Sequence, residues 1–338
     1  MKALSNITVL DISRLLPGGF ASLLLVRLGA RVIKVEEPGV GDYYRGLTGG
    51  KEFVDLGHFQ EINSGKELVT LNLKHEVGRK VFKRLVRKAD IVIENFRPGT
   101  LKRLGIPYRV LSRWNRKIVL CSVTGSGQKG ASHRLGGHDL NYFALSGLLS
   151  LNKGRQKRPT IPEFQIIDLA AGYRSTVLIL AALQQRNQTG RGSWIDSSML
   201  AAGKEMARLY HPFSGTDLLD LPNYQLYRTR DDRLIAFAGL EPKFIRNFGR
   251  AIGDPKIAGK AGASVLEKIF RSKTVSQWTR LNQKYDFCLS PVLTVTEACG
   301  PRKRGDRLPP MGRDNLKVLR RLGYSKKKMR ELRKEGVL

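Results

Sequence analysis

The feature that most constrains the fold is a strand, helix and strand pattern within residues 7–36. Residues 7–12 and 32–35 are short, nearly continuous apolar runs rich in β-branched side chains. Between them we predict a turn at Pro17-Gly18-Gly19 and an apolar helix that stops at Gly29. Such runs are typical of strands buried on both faces of a parallel sheet, joined by a right-handed βαβ connection. This stretch therefore predicts the first unit of an open α/β sheet.

The same alternation continues along the chain. We predict a helix at about 75–89, strands at 91–93 and 118–123, and a long apolar helix at about 168–186 that is capped near Gly190. Alternation of strands and helices to about residue 200 predicts a Rossmann-like sheet, with its ligand at the carboxyl ends of the strands.

The pattern changes after residue 220. Residues 224–230 and 234–238 flank Asp231-Asp232 and predict a β-hairpin, and helical patterns follow near 241–252, 263–271 and 274–284. We therefore expect a smaller α+β domain at 220–305, joined to the large domain by a linker at 201–219. The tail after about residue 312 is predicted to form two short helices.

The formal net charge of +31 is unusual and requires a polyanion, an acidic surface or an unusual proteome as its explanation. The basic residues are spread over the whole chain and are densest near its end, without the interleaved aromatic residues that base stacking requires. We therefore favour a solvated bias in composition over a nucleic-acid site.

Cysteine and histidine spacing disfavours a metal site. Cys121, Cys288 and Cys299 are widely spaced, and the histidines show no paired i, i+4 spacing. The chain has no run of eighteen apolar residues, and its first residues lead directly into a strand pattern. We expect a cytoplasmic protein that neither spans a membrane nor is secreted.

The best candidate for a reaction centre is the stretch Gly137-His138-Asp139-Leu140-Asn141-Tyr142 together with Asp168. His138 follows a glycine loop at a predicted helix start, where free backbone N–H groups can stabilise an oxyanion. Asp168 is predicted to open the next long helix after a strand-like stretch at 164–167. A surface histidine and a simple helix N-cap are the alternative interpretations. Both side chains should lie at the same edge of the sheet.

Two further features suggest ligand contacts. The stretch Gly125 to Gly130 has the spacing GxGxxG after a strand, but the helix that a dinucleotide site requires is missing. We predict instead a glycine loop that lets the backbone of Gly125 and Gly127 approach a ligand. Arg97 follows another strand end, where its guanidinium suits a phosphate, although an ordinary surface arginine is equally consistent with its spacing.

A series of ordered motifs runs from the first strand to the tail. It comprises Val9-Leu10-Asp11, Leu16-Pro17-Gly18, Leu28-Gly29-Ala30, Val32-Ile33-Lys34-Val35-Glu36, Asn72-Leu73-Lys74, Glu94-Asn95-Phe96-Arg97-Pro98-Gly99, Thr124-Gly125-Ser126-Gly127-Gln128, Gly137 to Tyr142, Asp168, Thr189-Gly190-Arg191-Gly192, Leu240-Glu241-Pro242-Lys243-Phe244, Ser290-Pro291-Val292-Leu293 and Leu322-Gly323-Tyr324-Ser325. At these residues the sequence resembles the class III CoA-transferase superfamily, and within it the α-methylacyl-CoA racemase branch.

The resemblance implies a Rossmann-like CoA-binding domain at 1–200, completed by 306–338, and an interlocked homodimer. The positions of His138 and Asp168 are implied to be the two acid/base residues, and Glu241 is implied to pair with the histidine. The Asp139 backbone would face the thioester oxygen, with Tyr142 in the same motif. Arg97 and the stretch Asn72-Leu73-Lys74 would lie along the CoA nucleotide, so that CoA enters as substrate and no separate cofactor is expected.

The implied activity is inversion of the α carbon of a 2-methylacyl-CoA by proton transfer through an enolate. The alternative is a CoA transferase in which Asp168 forms a covalent aspartyl intermediate. A polyanion-binding protein without catalytic activity is a third interpretation, which rests on charge alone.

Overall fold

The computed structural model describes residues 2–46, 56–154, 158–210, 220–256, 261–301 and 308–338. The chain divides into two units. The first comprises Met1–Pro212 and Gly305–Leu338, and the second comprises Phe213–Arg304. Strands and helices are numbered below in chain order.

The first unit is built on a parallel sheet, as the alternating sequence pattern predicts. In the described part of the chain it has six strands in the order β3-β2-β1-β4-β5-β6. They are β1 (Thr8–Asp11), β2 (Arg31–Glu36), β3 (Glu67–Thr70), β4 (Ile91–Glu94), β5 (Val119–Thr124) and β6 (Trp194–Ser198). Every pairing is parallel. In a sheet of this order the switch point lies between β1 and β4, and ligands bind outside the carboxyl ends of the strands there.

Helices cover both faces of this sheet. They are α1 (Leu16–Arg27), α2 (Leu56–Ile62), α3 (Glu76–Val86), α4 (Thr100–Arg103), α5 (Tyr108–Trp114), α6 (Asp139–Leu145), α7 (Leu148–Leu151), α8 (Ile166–Thr189) and α9 (Met199–Tyr210), followed near the C-terminus by α14 (Asn315–Arg320) and α15 (Lys326–Lys334). One apolar core joins α3, α5, α14 and α15 to the sheet. A second core joins α1, α6, α8 and α9 to its opposite face.

Three stretches differ from the sequence prediction. Pro17 and Gly18 do not form a turn but lie in the first turn of α1, a position that proline fits well. Position 18 requires glycine, because a Cβ there would stand 2.5 Å from the Ser13 Cβ. No strand forms at 164–167, since α8 already begins at Ile166. Residues 201–210, predicted as the start of a linker, complete α9 and bury Ala202; residues 211–219 lie outside the described residues.

The second unit has a small antiparallel sheet of the strands β7 (Tyr224–Arg228), β8 (Leu234–Ala238) and β9 (Leu289–Pro291). The predicted hairpin is confirmed, and Asp232 adopts a φ of 56° in its turn. Three helices pack beside the sheet in the described residues, α10 (Pro242–Ile252), α11 (Ala263–Phe270) and α12 (Val275–Tyr285), and the short helix α13 (Val295–Cys299) is exposed. Clustered aromatic rings, including Phe248, Phe270 and Trp278, form the core of this unit.

Helix α8 is long and apolar enough to cross a membrane by length and composition. It packs against α1, α6 and α9, and Ile167, Ala171 and Ile179 are buried in the apolar core. Packing within the first unit therefore accounts for part of its apolar surface, while Tyr173, Val177 and Leu180 are exposed.

A buried network of charges lies beneath the loop that joins β1 to α1. Lys66 Nζ donates to Asp11 Oδ2 at 3.0 Å, and Lys34 Nζ donates to Asp42 Oδ2 at 2.8 Å. Burial alone would raise the pKa of Asp11, but Lys34 and Lys66 outweigh this effect and lower the pKa to about 2. Asp42 also accepts from the backbone N–H of Leu15, which is held at a φ of 60°. The network therefore fixes a strained backbone at the switch point.

We predict that Lys66→Met lowers the free energy of unfolding by about 3–5 kcal/mol, because it leaves the Asp11 carboxylate buried without its closest cation. Urea unfolding measures the change. Lys80→Met is the control, since the Lys80 side chain is 69% exposed in its pair with Glu76 and such surface pairs contribute little. A loss in Lys66→Met no larger than that of the control would contradict the prediction.

Candidate active site

A cavity of about 250 Å³ opens at the switch point of the sheet, beside the ends of β4 and β5. It brings together five of the residues proposed from sequence, namely Arg97, Gly125, His138, Tyr142 and Asp168. They come from the loops after β4 and β5 and from the first turns of α6 and α8. Residues far apart in the chain thus face one space, as expected for the carboxyl edge of a parallel sheet.

His138 lies directly before α6 and is exposed. Its backbone N–H donates to Asn141 Oδ1 at 3.0 Å, which ties the glycine loop to the helix. Backbone N–H groups in the first turn of a helix have no partner within the helix, and the helix dipole adds partial positive charge there. The start of α6 can therefore stabilise a developing oxyanion next to an imidazole.

Asp168 lies in the first turn of α8. The side chain of Asp139, which belongs to α6, caps this helix. Asp139 Oδ1 accepts from the backbone N–H of Ile167 at 2.7 Å and of Asp168 at 2.9 Å. Burial, together with the nearby Asp139 carboxylate, raises the pKa of Asp168 to about 7. Burial also raises the pKa of Asp139, although its two hydrogen bonds oppose this effect. A carboxyl group in this state can both give and take a proton near neutral pH.

The glycine loop is shaped by the side chain of Tyr142. A Cβ on Gly125 would stand 1.9 Å from the Tyr142 Oη, and a Cβ on Gly137 would stand 2.8 Å from the same oxygen. Tyr142 is 4% exposed, so its ring is held against these glycines. Gly127 lies outside this cavity, in a neighbouring cleft with Asp196, and has a φ of 96°.

Arg97 also forms part of the wall of the cavity. A Cβ on Gly136 would stand 2.7 Å from Arg97 Nη2, so the guanidinium lies against the glycine backbone. The same arginine lines a second cavity of about 400 Å³ on its other side. Arg97 therefore separates two cavities at the carboxyl edge of the sheet.

A further cavity of about 230 Å³ lies on the β1–β2 side of the switch point. Leu73 and Lys74 line it, as does Arg14. Asn72 is instead tied to the C-terminal tail, because its backbone N–H donates to Val337 O at 2.9 Å. The sequence-predicted stretch 72–74 is therefore divided between this cavity and the contact with the tail.

Arg14, Glu37 and Asn95 lie around this cavity and were not among the site residues proposed from the sequence. Glu37 accepts from Arg14 at 2.8 Å and from Lys74 at 2.6 Å, and Asn95 hydrogen-bonds both the N–H and the C=O of Arg14. Burial would raise the pKa of Glu37, but Lys74 and Arg14 outweigh it and lower the pKa. Arg14, Glu37 and Asn95 follow the carboxyl ends of β1, β2 and β4, respectively. Such positions are where ligands bind to a parallel sheet, so the sequence did contain a signal for these residues.

Glu241 belongs to the second unit, where it is the exposed residue directly before α10. Its expected role as the partner of His138 stays a prediction.

Similarity to known proteins extends over nearly the whole chain. The sequence description of CoA-transferase family III matches residues 4–303. The chain is 30% identical to human α-methylacyl-CoA racemase (Homo sapiens) over 87% of this chain and 79% of that protein. It is 33% identical to succinyl-CoA:glutarate CoA-transferase of Mus musculus over 88% of this chain and 73% of that protein. A crystal structure of a Mycobacterium tuberculosis protein matches 89% of this chain and 87% of its own, with a TM-score of 0.76 and 28% identity.

Gly125→Ala is expected to destabilise the protein by about 1–3 kcal/mol, since the added methyl group must displace the Tyr142 ring. The cost should be smaller in a Tyr142→Ala background, which removes the obstructing ring. Thermal unfolding of both single variants and the double variant measures the coupling. Gly262→Ala serves as the control, because a Cβ there meets nothing within 4 Å. Equal costs in the two backgrounds would show that the ring does not require this glycine.

Asp168→Asn should stabilise the folded protein above neutral pH. The pKa of Asp168 is about 7 in the folded state and about 4 in an unfolded chain. The folded state therefore binds the extra proton between these values, and its stability falls as pH rises from about 4 to 7. The variant removes a penalty of at most about 4 kcal/mol, reduced by solvent screening.

The measurement is urea unfolding at about pH 5 and about pH 8, with a larger gain expected at the higher pH. Asp232→Asn is the matched control, because the Asp232 side chain is 76% exposed. A gain that does not depend on pH, or no gain at about pH 8, would rule out the raised pKa.

Proposed function

The chain belongs to CoA-transferase family III, so that it is an enzyme acting on acyl-CoA, and we propose that it is a racemase of 2-methylacyl-CoA thioesters. The observation that carries the proposal is the pairing, in one cavity, of an imidazole with a carboxyl group whose pKa is about 7. Inversion next to a thioester carbonyl requires two such groups, because the proton leaves on one face and returns on the other.

The proposed reaction has two proton transfers. His138 or Asp168 removes the α-proton, and the electron pair of the broken C–H bond moves to the thioester oxygen as an enolate. The other residue then delivers a proton to the opposite face of the same carbon. The backbone N–H groups at the start of α6 donate hydrogen bonds to the enolate oxygen. The first of these donors is the N–H of Asp139. Each acid/base group contributes about 10²–10⁴ in rate, and one oxyanion donor contributes about 10²–10³.

Asp139 supports the ionisation state that this reaction needs. Because it caps α8 at the N–H of Asp168, it positions the second carboxyl group and disfavours its negative charge. Asp168 is therefore available as an acid near neutral pH when His138 is the base, and the roles reverse for the other enantiomer.

We propose that the CoA nucleotide binds in the cavity lined by Arg14, Lys74 and Leu73. Glu37 neutralises part of the charge of the two cations and holds them in place. Arg97 lies between the reaction centre and the cavity of about 400 Å³ beside it, where a guanidinium suits a phosphate group. Gly125 and Gly127 would shape the neighbouring loop.

We further infer a cytoplasmic homodimer with interlocked subunits. Tyr173, Val177 and Leu180 form an exposed apolar stripe on α8, and exposed apolar surface of this kind marks an interaction site. The exposed position of His138 is consistent with cover from a second subunit, whose Glu241 would support the imidazole.

CoA transfer is the second candidate function. A relative of similar identity is named as a CoA-transferase, and a carboxylate at position 168 could attack the thioester carbonyl. The thiolate of CoA would leave, and an acyl-aspartyl anhydride would form. The high pKa of Asp168 favours proton transfer instead, because the attacking form is only partly populated at neutral pH.

Incubation of one enantiomer of a 2-methylacyl-CoA in D₂O tests the proposal. We expect deuterium at the α carbon and loss of optical purity, measured by mass spectrometry and chiral chromatography. Absence of deuterium, with CoA transfer to an added carboxylate and hydroxylamine trapping of Asp168, would establish the transferase instead.

The same assay separates the two bases. His138→Ala and Asp168→Ala should each lose inversion by about 10²–10⁴, while each retains deuterium exchange of a different enantiomer. Residual exchange in His138→Ala should rise with pH through about 7, because the Asp168 carboxylate is then the base. His133→Ala is the matched control, since His133 lines the same cavity without a proposed role. Loss of exchange with both enantiomers in either variant would exclude two independent bases.

A further inference from the structure

Four helices on one face of the sheet, α3, α5, α14 and α15, carry fourteen lysine and arginine residues against two acidic ones, Glu76 and Glu331. Every lysine and arginine of α15 is exposed, namely Lys326, Lys327, Lys328, Arg330, Arg333 and Lys334. Met329 and Leu332 of the same helix are buried in the core, so the basic side chains all lie on the solvent side. The one acidic residue of this helix, Glu331, pairs with Lys328 at 3.0 Å.

Helix α3 extends this surface next to the tail helices. The Arg84 guanidinium donates to Leu322 O and lies 4.7 Å from the centre of the Tyr324 ring. Lys88 Nζ donates to Arg321 O at 3.2 Å. Arg87, also exposed, lies between these two contacts in sequence.

Helix α5 continues the surface on the far side of α3. Lys83 Nζ lies 5.7 Å from the centre of the Trp114 ring, and Arg109 and Arg113 of α5 are exposed. The surface formed by α5, α3, α14 and α15 is called the basic face below. It is continuous and belongs entirely to the first unit.

The opposite face of the sheet does not share this excess. There, α1, α6, α8 and α9 carry five lysine and arginine residues against three acidic ones. Three of the five cations are also paired, Arg27 with Glu61, Arg174 with Glu205 and Arg186 with Asp90. The sequence alone favours a solvated bias because its basic residues are spread along the chain. The fold places α3, α5, α14 and α15 on the same face of the sheet, so that fourteen of these residues share one surface.

The dimensions of the basic face exceed those of a small ligand. Adjacent helices pack about 8–10 Å apart, so four of them span about 30 Å. A duplex nucleic acid presents one charge per about 1.7 Å, or roughly 18 phosphates over that distance. The few phosphates of one CoA molecule would occupy a small part of it.

The chemistry of the basic face selects among polyanions. In the described residues of these four helices, Leu316 is the one large apolar side chain that is exposed, whereas a helix that binds membranes needs an apolar face. No aromatic side chain of these described helices is among the exposed ones, and single strands are held by stacking on aromatic rings. A double-stranded nucleic acid needs neither an apolar face nor exposed aromatic rings, because lysine and arginine can contact its phosphate backbone.

We propose that the basic face binds the phosphate backbone of double-stranded nucleic acid without sequence preference. This binding is independent of the acyl-CoA chemistry, because α15 contributes no residue to the cavities of the reaction centre and of the CoA nucleotide.

Fluorescence anisotropy with a labelled DNA duplex of about 20 base pairs and arbitrary sequence tests the proposal, over about 50–200 mM salt. The variant is Lys327→Gln/Arg330→Gln/Lys334→Gln. The matched control is Lys268→Gln/Arg280→Gln/Lys284→Gln, which removes the same charge from exposed positions of α11 and α12. Circular dichroism verifies that both proteins fold.

We expect the affinity of the unmodified protein to fall by at least about 10³ across that salt range. The α15 variant should bind at least about tenfold more weakly, with a log–log salt slope smaller by about 2–3. The control should bind like the unmodified protein. Absence of duplex binding, equal weakening of both variants, or binding to anionic phospholipid vesicles but not to DNA would overturn the proposal. So would an α15 variant with unchanged duplex affinity and a raised KM for acyl-CoA, which would make the face a steering surface for substrate.

Discussion

The buried pairing of Asp11 and Asp42 with Lys66 and Lys34 is the constraint on which the rest of the first unit depends. Charges removed from water are tolerated only when each is paired and hydrogen-bonded, so none of the four can move without loss to the others. Asp42 thereby holds the backbone of Leu15 at positive φ. Arg14 lines the cavity proposed for the nucleotide, and the next residue, Leu15, lines the reaction centre. The network thus fixes the boundary between the two.

The reaction centre has the opposite character, because neither Asp139 nor Asp168 forms an ion pair within the described part of the chain. Asp139 satisfies two N–H groups of α8 but raises the pKa of Asp168 in doing so. This arrangement costs stability above neutral pH and makes the carboxyl group useful for proton transfer. The two clusters of aspartate therefore differ in character: Asp11 and Asp42 are paired with cations and hold the backbone, and Asp139 and Asp168 form the site proposed for proton transfer.

Much of the fold could be predicted from local patterns. The strands β1, β2, β4 and β5 and the helices α3, α8 and α10 lie close to the predicted ranges, because apolar periodicity and glycine stops act within a few residues. The errors have tertiary causes. Gly18 lies in α1 and not in a turn, and Ser13 packs against it. The stretch 164–167 forms no strand, because no neighbouring strand pairs with it in the described residues. At the site, the sequence predicts that His138 and Asp168 lie at the same edge of the sheet, and they face one cavity there. It does not predict the Asp139 cap or the packing of Tyr142 on Gly125, which depend on contacts across the fold.

The sequence by itself determined the alternation of strands and helices, the family motifs and the residue types able to move a proton, since these depend on neighbours a few positions apart. The tertiary structure decided what depends on distant parts of the chain. The strand order brings the loops after β4 and β5 together with α8, which places Arg97, His138 and Asp168 around one cavity. Burial beside Asp139 then sets the pKa of Asp168. The same packing turns apolar faces of α3, α5, α14 and α15 inward, so that basic residues scattered along the sequence meet on one surface.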